Sequence, residues 1–342
     1  MSKWAFRLEE LGKEHNHLVG RKCANLGEML RLGLRVPPGF ALSTDAYQDF
    51  LNLTGAAAEI KEVVRSAGSQ SAALGQAGEL SARIRQIVLA KPMPEEMAET
   101  VLGYYAELCR KCRDDSLAVS VRSAGPQSRP GQYETYLNVA GPPEVLENIK
   151  KVWASTFNPR SLAFRQQKSL PLDFDPIGAA VLKMVPARSA GVAFTADPNT
   201  GDTSRITIEA NWGVGESVVS GTAAPDIFII DKKSLELQQK SLGAKTRCVV
   251  VTAGGVLECE TPVEKRAVFC LRDEEVKEIA RMARQLEEHF GVPQDVEWAI
   301  DPGAAPEQGL FLLQARAEVI AQNKTAVDRI VDLMLNRFSG GH

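Results

Sequence analysis

The sequence predicts a mixed α/β (α+β) protein of two lobes with a cleft between them. Three observations carry this. Residues 55–113 are rich in Ala, Glu and Arg and read as helix, interrupted at Lys91-Pro92-Met93-Pro94. From residue 177 onward short apolar strand patterns dominate, with one long helix among them. At 342 residues and 44% hydrophobic, the chain can bury a large core, as one domain or as two lobes. A helix-rich half before a sheet-rich half sets the lobes at 1–176 and 177–320, followed by a helical tail at 321–342.

The elements follow in order. Residues 22–33 read as a helix with Leu26, Met29, Leu30 and Leu32 on or near one face. Val36-Pro37-Pro38-Gly39-Phe40 breaks it and starts an extended segment. Ser43 or Thr44 caps a short helix through Phe50. Residues 117–122 are a strand and 143–168 are helical. The later strands are 177–185, 190–195, 205–210, 226–231, 247–251, 295–300 and 310–314, with a helix at 273–290 capped by Asp273. In the tail, Val327, Ile330, Val331, Met334 and Phe338 share a helical face. That face either packs on its own domain or docks on a partner.

Composition narrows the function. Forty basic against 43 acidic residues give a net charge of −3, which marks neither a nucleic-acid binder nor a polybasic membrane protein. No apolar run approaches the roughly 18 residues of a membrane span. Met1-Ser2-Lys3-Trp4 leads straight into charged sequence, without a secretory signal. Six cysteines at irregular spacing read as reduced thiols of a cytoplasmic protein. Cys109 and Cys112 form one Cys-x-x-Cys in a helical pattern, without a second pair at zinc spacing.

The segment richest in chemistry joins 295–300 to 310–316 through an Asp-Pro-Gly loop, a hairpin pattern. Glu297 and Gln314 offer hard oxygen donors of the kind Mg²⁺ takes. Arg316, two residues after Gln314, falls on the same strand face, where a cation would meet phosphate oxygens beside the metal. The alternative is a hairpin with surface charges. Earlier, Gly20 precedes a helix start with Lys22 in its first turn, a place that favours an anion. Arg122 ends an apolar strand before a Gly-, Ser- and Pro-rich loop through Gly131, whose backbone N–H groups suit phosphates. The run 179–185 is either a core strand or a backbone laid along an adenine edge, with Lys183 and Val185 at its end. Glu209, at a strand end beside Trp212-Gly213-Val214-Gly215, could hold a ribose or line the phosphates.

Taken in this order, the segments resemble the N-terminal ATP-grasp nucleotide-binding domain of the phosphoenolpyruvate synthase and pyruvate phosphate dikinase family. The landmarks are Lys22-x-x-Asn25-Leu26-Gly27-Glu28-Met29, Val36-Pro37-Pro38-Gly39-Phe40, Val121-Arg122-Ser123, Glu134-Thr135-Tyr136-Leu137-Asn138-Val139, Ser189 to Pro198, Glu209-Ala210-x-Trp212-Gly213-x-Gly215-Glu216, and Glu297 with Gln314-x-Arg316. The resemblance implies an ATP-grasp fold with the nucleotide cleft between its lobes. It implies ATP and Mg²⁺ as cofactors. Lys22, Arg122 and Arg316 would act on the phosphates, and Glu297 and Gln314 would hold the metal with Asp295 nearby. The loop ending at Gly131 would close over the phosphates, and Lys183, Val185 and Glu209 would belong to the nucleotide-binding set.

Four departures stand out. Arg122 and Gly131 are nine apart, with Gln127 and Arg129 where acidic residues are usual in the synthases. Leu182 stands where many relatives have Gln, and Ala317 replaces the familiar proline after Gln-x-Arg. The histidines are His15, His17, His289 and His342, none in the family's Thr-x-His setting. The expectation is therefore one subunit of a split enzyme, similar to the ATP-binding subunit of the phenylphosphate synthase type. Its partner would be a separate subunit carrying the phosphohistidine domain and acceptor site. A non-catalytic ATP-sensing regulatory subunit is the alternative.

Overall fold

The computed structural model describes residues 3–67, 74–126, 132–198, 200–303 and 308–318. Its strands are β1 (Ala5–Arg7), β2 (Gly39–Leu42), β3 (Val119–Ala124), β4 (Thr135–Val139), β5 (Gly178–Lys183), β6 (Ser189–Phe194), β7 (Arg205–Trp212), β8 (Asp226–Asp231), β9 (Leu237–Ser241), β10 (Arg247–Thr252), β11 (Gly255–Glu260), β12 (Gln294–Ile300) and β13 (Leu310–Ala317). The helices are α1 (Asn16–Arg31), α2 (Thr44–Leu53), α3 (Ala56–Ala67), α4 (Leu74–Ala90), α5 (Glu95–Cys112), α6 (Pro142–Ala154), α7 (Pro159–Gln167), α8 (Glu216–Val219), α9 (Val263–Arg266) and α10 (Asp273–Phe290). The protein is thus mixed α/β, and the strand pairings within its sheets are antiparallel.

Two compact units divide the described chain. The first takes residues up to Gly27 and Pro38–Met184, and the second takes Glu28–Pro37 and the residues from Val185 on. The division falls after Met184 rather than between 176 and 177. The reason is β5, which pairs with β2 on one side and β3 on the other and so belongs to the first unit. It also runs through α1, so that one helix serves both units.

In the first unit the sheet order is β1-β2-β5-β3-β4. Alternating residues of its strands, among them Phe40, Leu42, Val119, Val121, Ala179 and Val181, bury one face. Helices α2 to α6 supply Tyr47, Phe50, Ile60, Ile84, Val101 and Ile149 to the same core. Tyr47 stacks on Trp153 at 5.5 Å between ring centroids, and Phe50 meets the same indole at 5.1 Å. Such aromatic packing accounts for much of the buried area in a core of this kind. Of the two expected caps for α2, Ser43 is the one: its hydroxyl accepts from Ala46 N–H.

In the second unit the order is β13-β12-β6-β7-β8-β9, and β10 and β11 form a separate hairpin. Ile206, Ile208, Phe228, Ile230 and Val296 are fully buried on one sheet face, under Val276, Ile279, Ala283 and Leu286 of α10. Asp273 is the first residue of that helix rather than its cap. Arg272 takes the cap position, and its N–H is accepted by the Glu275 carboxylate at 2.8 Å. The segment 28–37 is tied in by three contacts. His289 Nε2 meets Glu28 Oε2 at 2.6 Å, Gln285 donates to Leu32 O, and Leu312 N–H donates to Arg35 O. The expected tail helix lies outside the described residues, and so does Gly131.

Candidate functional site

The hairpin read from the sequence is present. β12 and β13 pair antiparallel with Glu297 opposite Gln314 and Asp295 opposite Arg316. Residues two apart share a face, and so do directly opposed residues. All four polar side chains therefore stand on one face of the sheet, opposite to that of Val296 and α10. A bulge just after Glu297 leaves this register untouched.

Two further strands extend the row. Glu297 lies opposite Val192 on β6, which lies opposite Glu209 on β7. Glu209, Val192, Glu297 and Gln314 thus line up across four strands. The sequence set Glu209 at a strand end; the structure puts it inside β7, on the acidic face. Burial and then the nearby Asp295 charge push its carboxyl above the usual range.

Asp295, Glu297 and Gln314 are all buried. Arg316 Nε donates to Asp295 Oδ2 at 2.7 Å, and a terminal guanidinium nitrogen meets the same oxygen at 2.5 Å. Both contacts fall on Oδ2, and among the described residues Asp295 Oδ1 is buried without a hydrogen-bond partner. Burial, the largest influence, holds the Asp295 carboxyl above its usual range even though Arg316 pulls the other way. Among the described residues no three His, Cys, Asp or Glu side chains are arranged to hold a metal by themselves. The donor set is two carboxylates and an amide, with one orphaned oxygen. That suits a hard cation that completes its shell with water and phosphate, as Mg²⁺ does. It does not suit a structural transition metal.

Two residues further along the same face, Ala299 joins an apolar cluster with Val185 and Ala190, flanked by Ala187, Phe311 and Leu313. One strand face therefore passes from a charged end at Asp295 and Arg316, through Glu297 and Gln314, to an apolar end at Val185. At about 3.3 Å per residue this path is roughly 13 Å long.

The cations of the first unit are placed differently. Gly20 breaks α1 at φ +78°, and the helix resumes with Lys22 in its first turn. Arg21 N–H donates to Gly125 O at 2.9 Å. A Cβ on Gly20 would lie 2.0 Å from Ala124 O, so only glycine permits this docking. It seats the helix start on the end of β3, which carries Arg122. Cys23 is fully buried and feels both the Lys22 and Arg122 charges, while desolvation drives its thiol up to about 12.

The run 179–185 is a core strand for most of its length. Its backbone is spent between β2 and β3, then Lys183 N–H goes to Pro38 O and Met184 N–H to Ala118 O. Lys183 is half-buried at the end of β5, and the chain leaves the sheet only from there, so the adenine-edge reading is confined to the residues around Val185. Sequence reasoning missed the alignment of Glu209 with Glu297, because it depends on the non-consecutive order β12-β6-β7, and the Asp295 Oδ1 orphan, because it depends on which carboxylate oxygen Arg316 takes.

Comparison with known proteins shows the family. Residues 16–337 match the family described as pyruvate phosphate dikinase, AMP/ATP-binding domain. The chain is 37% identical to a probable phosphoenolpyruvate synthase of Staphylothermus marinus over 92% of its own length and 41% of the relative's. It is 36% identical to that of Methanocaldococcus jannaschii, over 90% and 26% respectively. It is 35% identical to the phosphoenolpyruvate synthase of Aeropyrum pernix, over 93% and 42%. The chain therefore spans less than half the length of these relatives.

Proposed function

The chain belongs to the pyruvate phosphate dikinase AMP/ATP-binding domain family, and from that premise we propose that it is the ATP-binding subunit of a split dikinase-type phosphotransferase. It binds Mg·ATP and phosphorylates a histidine on a separate subunit, with ATP and water yielding AMP, inorganic phosphate and the phosphohistidine. That subunit then passes the phosphoryl group to a small acceptor such as phenol, another alcohol or pyruvate.

The observation that carries this reading is the single sheet face running from Arg316 and Asp295, past Glu297 and Gln314, to the apolar cluster around Val185. Glu297, Gln314 and the free oxygen of Asp295 would hold Mg²⁺, which supplies charge neutralisation on the phosphate oxygens. Lys22, Arg122 and Arg316 bind and orient the triphosphate, so catalysis is mostly positioning and electrostatic stabilisation. The apolar cluster takes the base and keeps water from it. Of the described histidines, two have hydrogen-bond partners and one is exposed. His15 Nδ1 accepts from Gly12 N–H, His17 is exposed on α1, and His289 is engaged with Glu28.

Two measurements test the reading. Calorimetry should show ATP binding that depends on Mg²⁺ in the wild type, with that dependence lost in a folded Glu297→Gln variant. A Glu297→Gln variant that keeps it moves the metal site elsewhere. Incubation with labelled ATP and a candidate partner should release AMP and place an acid-labile phosphoryl group on the partner. Rapid, stable labelling of one of this chain's own histidines would sink the split-enzyme reading.

A further inference from the structure

The hairpin β10–β11 brings two thiols together outside the site described above. Cys248 and Cys259 are directly opposed in its antiparallel register. Their sulfurs are 3.7 Å apart, in contact and unbonded. Directly opposed residues in such a pair have Cα atoms about 4.5–5.5 Å apart, which lies inside the roughly 4.4–6.8 Å range a disulfide spans. Cys248 is buried and Cys259 half-buried, so the two sulfurs differ in access.

The hairpin also has something to hold. Gly213 pairs with Val249 in a parallel bridge, Val214 N–H donates to Val249 O at 2.8 Å, and Asn211 Nδ2 donates to Arg247 O at 2.9 Å. Gly213 sits at φ +77° with its missing Cβ 2.0 Å from Val249 O. The residues beside Cys248 thus grip the exit of β7, the strand that carries Glu209.

We propose that Cys248 and Cys259 are a redox modification site that closes into a reversible cross-strand disulfide by exchange with a small-molecule disulfide. The more accessible Cys259 attacks as thiolate, forming a mixed disulfide and expelling one small thiolate. Cys248, as thiolate, then attacks the Cys259 sulfur and expels the second. The two protein thiols give up two protons and two electrons in all, and the oxidant leaves as two small thiols. The bond fastens the hairpin that supports Gly213.

The test uses the folded chain with oxidised glutathione, followed by non-reducing peptide mass spectrometry. Six titratable thiols should fall to four, and the Cys248 and Cys259 peptides should appear joined with the loss of two hydrogens. The Cys248→Ser variant should instead stop at a mixed disulfide on Cys259. The Cys259→Ser variant should leave Cys248 unmodified. Hydrogen exchange across 247–260 should slow in the oxidised wild type. The proposal fails if the wild type accumulates glutathione on Cys259 without closing the bond. It also fails if Cys259 stays unmodified in Cys248→Ser.

Discussion

In the first unit the helix start that carries Lys22 is seated on the end of β3, the strand of Arg122, by a backbone docking that leaves no room for a side chain at Gly20. Asp295, Glu297, Gln314 and Arg316 in the second are brought together by the register of one hairpin. The first arrangement depends on a single glycine conformation. The second depends on a ladder of hydrogen bonds, and its members can be exchanged without moving the strands. The cation half should therefore be fragile to changes of backbone, and the carboxylate half fragile to changes of charge.

The largest effect expected from this contrast is at Arg316. Replacing it with Ala leaves the buried Asp295 without its counter-charge, and breaking such a pair costs about 3–5 kcal/mol. Denaturant unfolding of Arg316→Ala should show that loss, and Asp295→Asn in the same background should recover most of it. No recovery would mean that the guanidinium acts through packing alone.

Next in size is Arg122. If it stabilises the transferring phosphoryl group, Arg122→Ala should slow transfer to a partner by about 10²–10³-fold, the scale of losing one preorganised stabiliser. ATP affinity should change far less. Weaker binding at unchanged turnover would instead make Arg122 a ground-state contact.

Gly20→Ala should follow. The left-handed backbone and the 2.0 Å approach to Ala124 O put the cost at about 1–3 kcal/mol. It should weaken ATP binding while leaving the Arg316–Asp295 pair and its contribution intact. Equal damage to both halves, read by unfolding Arg316→Ala with and without the substitution, would undo the contrast between them.

The smallest effect is a pH slope. Glu318 follows β13, accepts from Ala196 N–H, and is pushed up to about 7, chiefly by burial. Its folded value lies above the ordinary 4.5. Stability from this group is therefore fully present below pH 4.5 and lost as pH rises through about 7. Asp295 and Glu209 are shifted in the same direction. With a chelator present, the melting temperature should fall across that window, and Glu318→Gln should flatten part of the slope.

The carboxylate half was the more legible from sequence. Polar residues at i and i+2 on two strands, with Asp-Pro-Gly between, fix both the hairpin and the shared face. The seat of Lys22 could be named but not its neighbour, because nothing local says that Arg21 docks on Gly125. Strands β9 and β11 escaped because polar residues such as Gln238, Gln239, Glu258 and Glu260 mask any apolar alternation. β4 also escaped; its Asn138, a residue depleted in strands, sits in the left-handed region at φ +56°. The place of Glu209 followed from sheet order, which strand patterns do not encode.

The position of β5 bears on how the protein is made. Gly39 pairs with Leu182, and Val121 with Val181, so the middle of the first sheet is supplied by the last strand of its unit. A ribosome that has released only the first 177 residues presents β2 and β3 with unsatisfied edges facing one another. Such distant pairings fold slowly and leave strand edges open to other chains. Translation must therefore pass Lys183 before the first unit can close. The second unit waits for β13, for it takes back Arg35, made near the start, as the partner of Leu312.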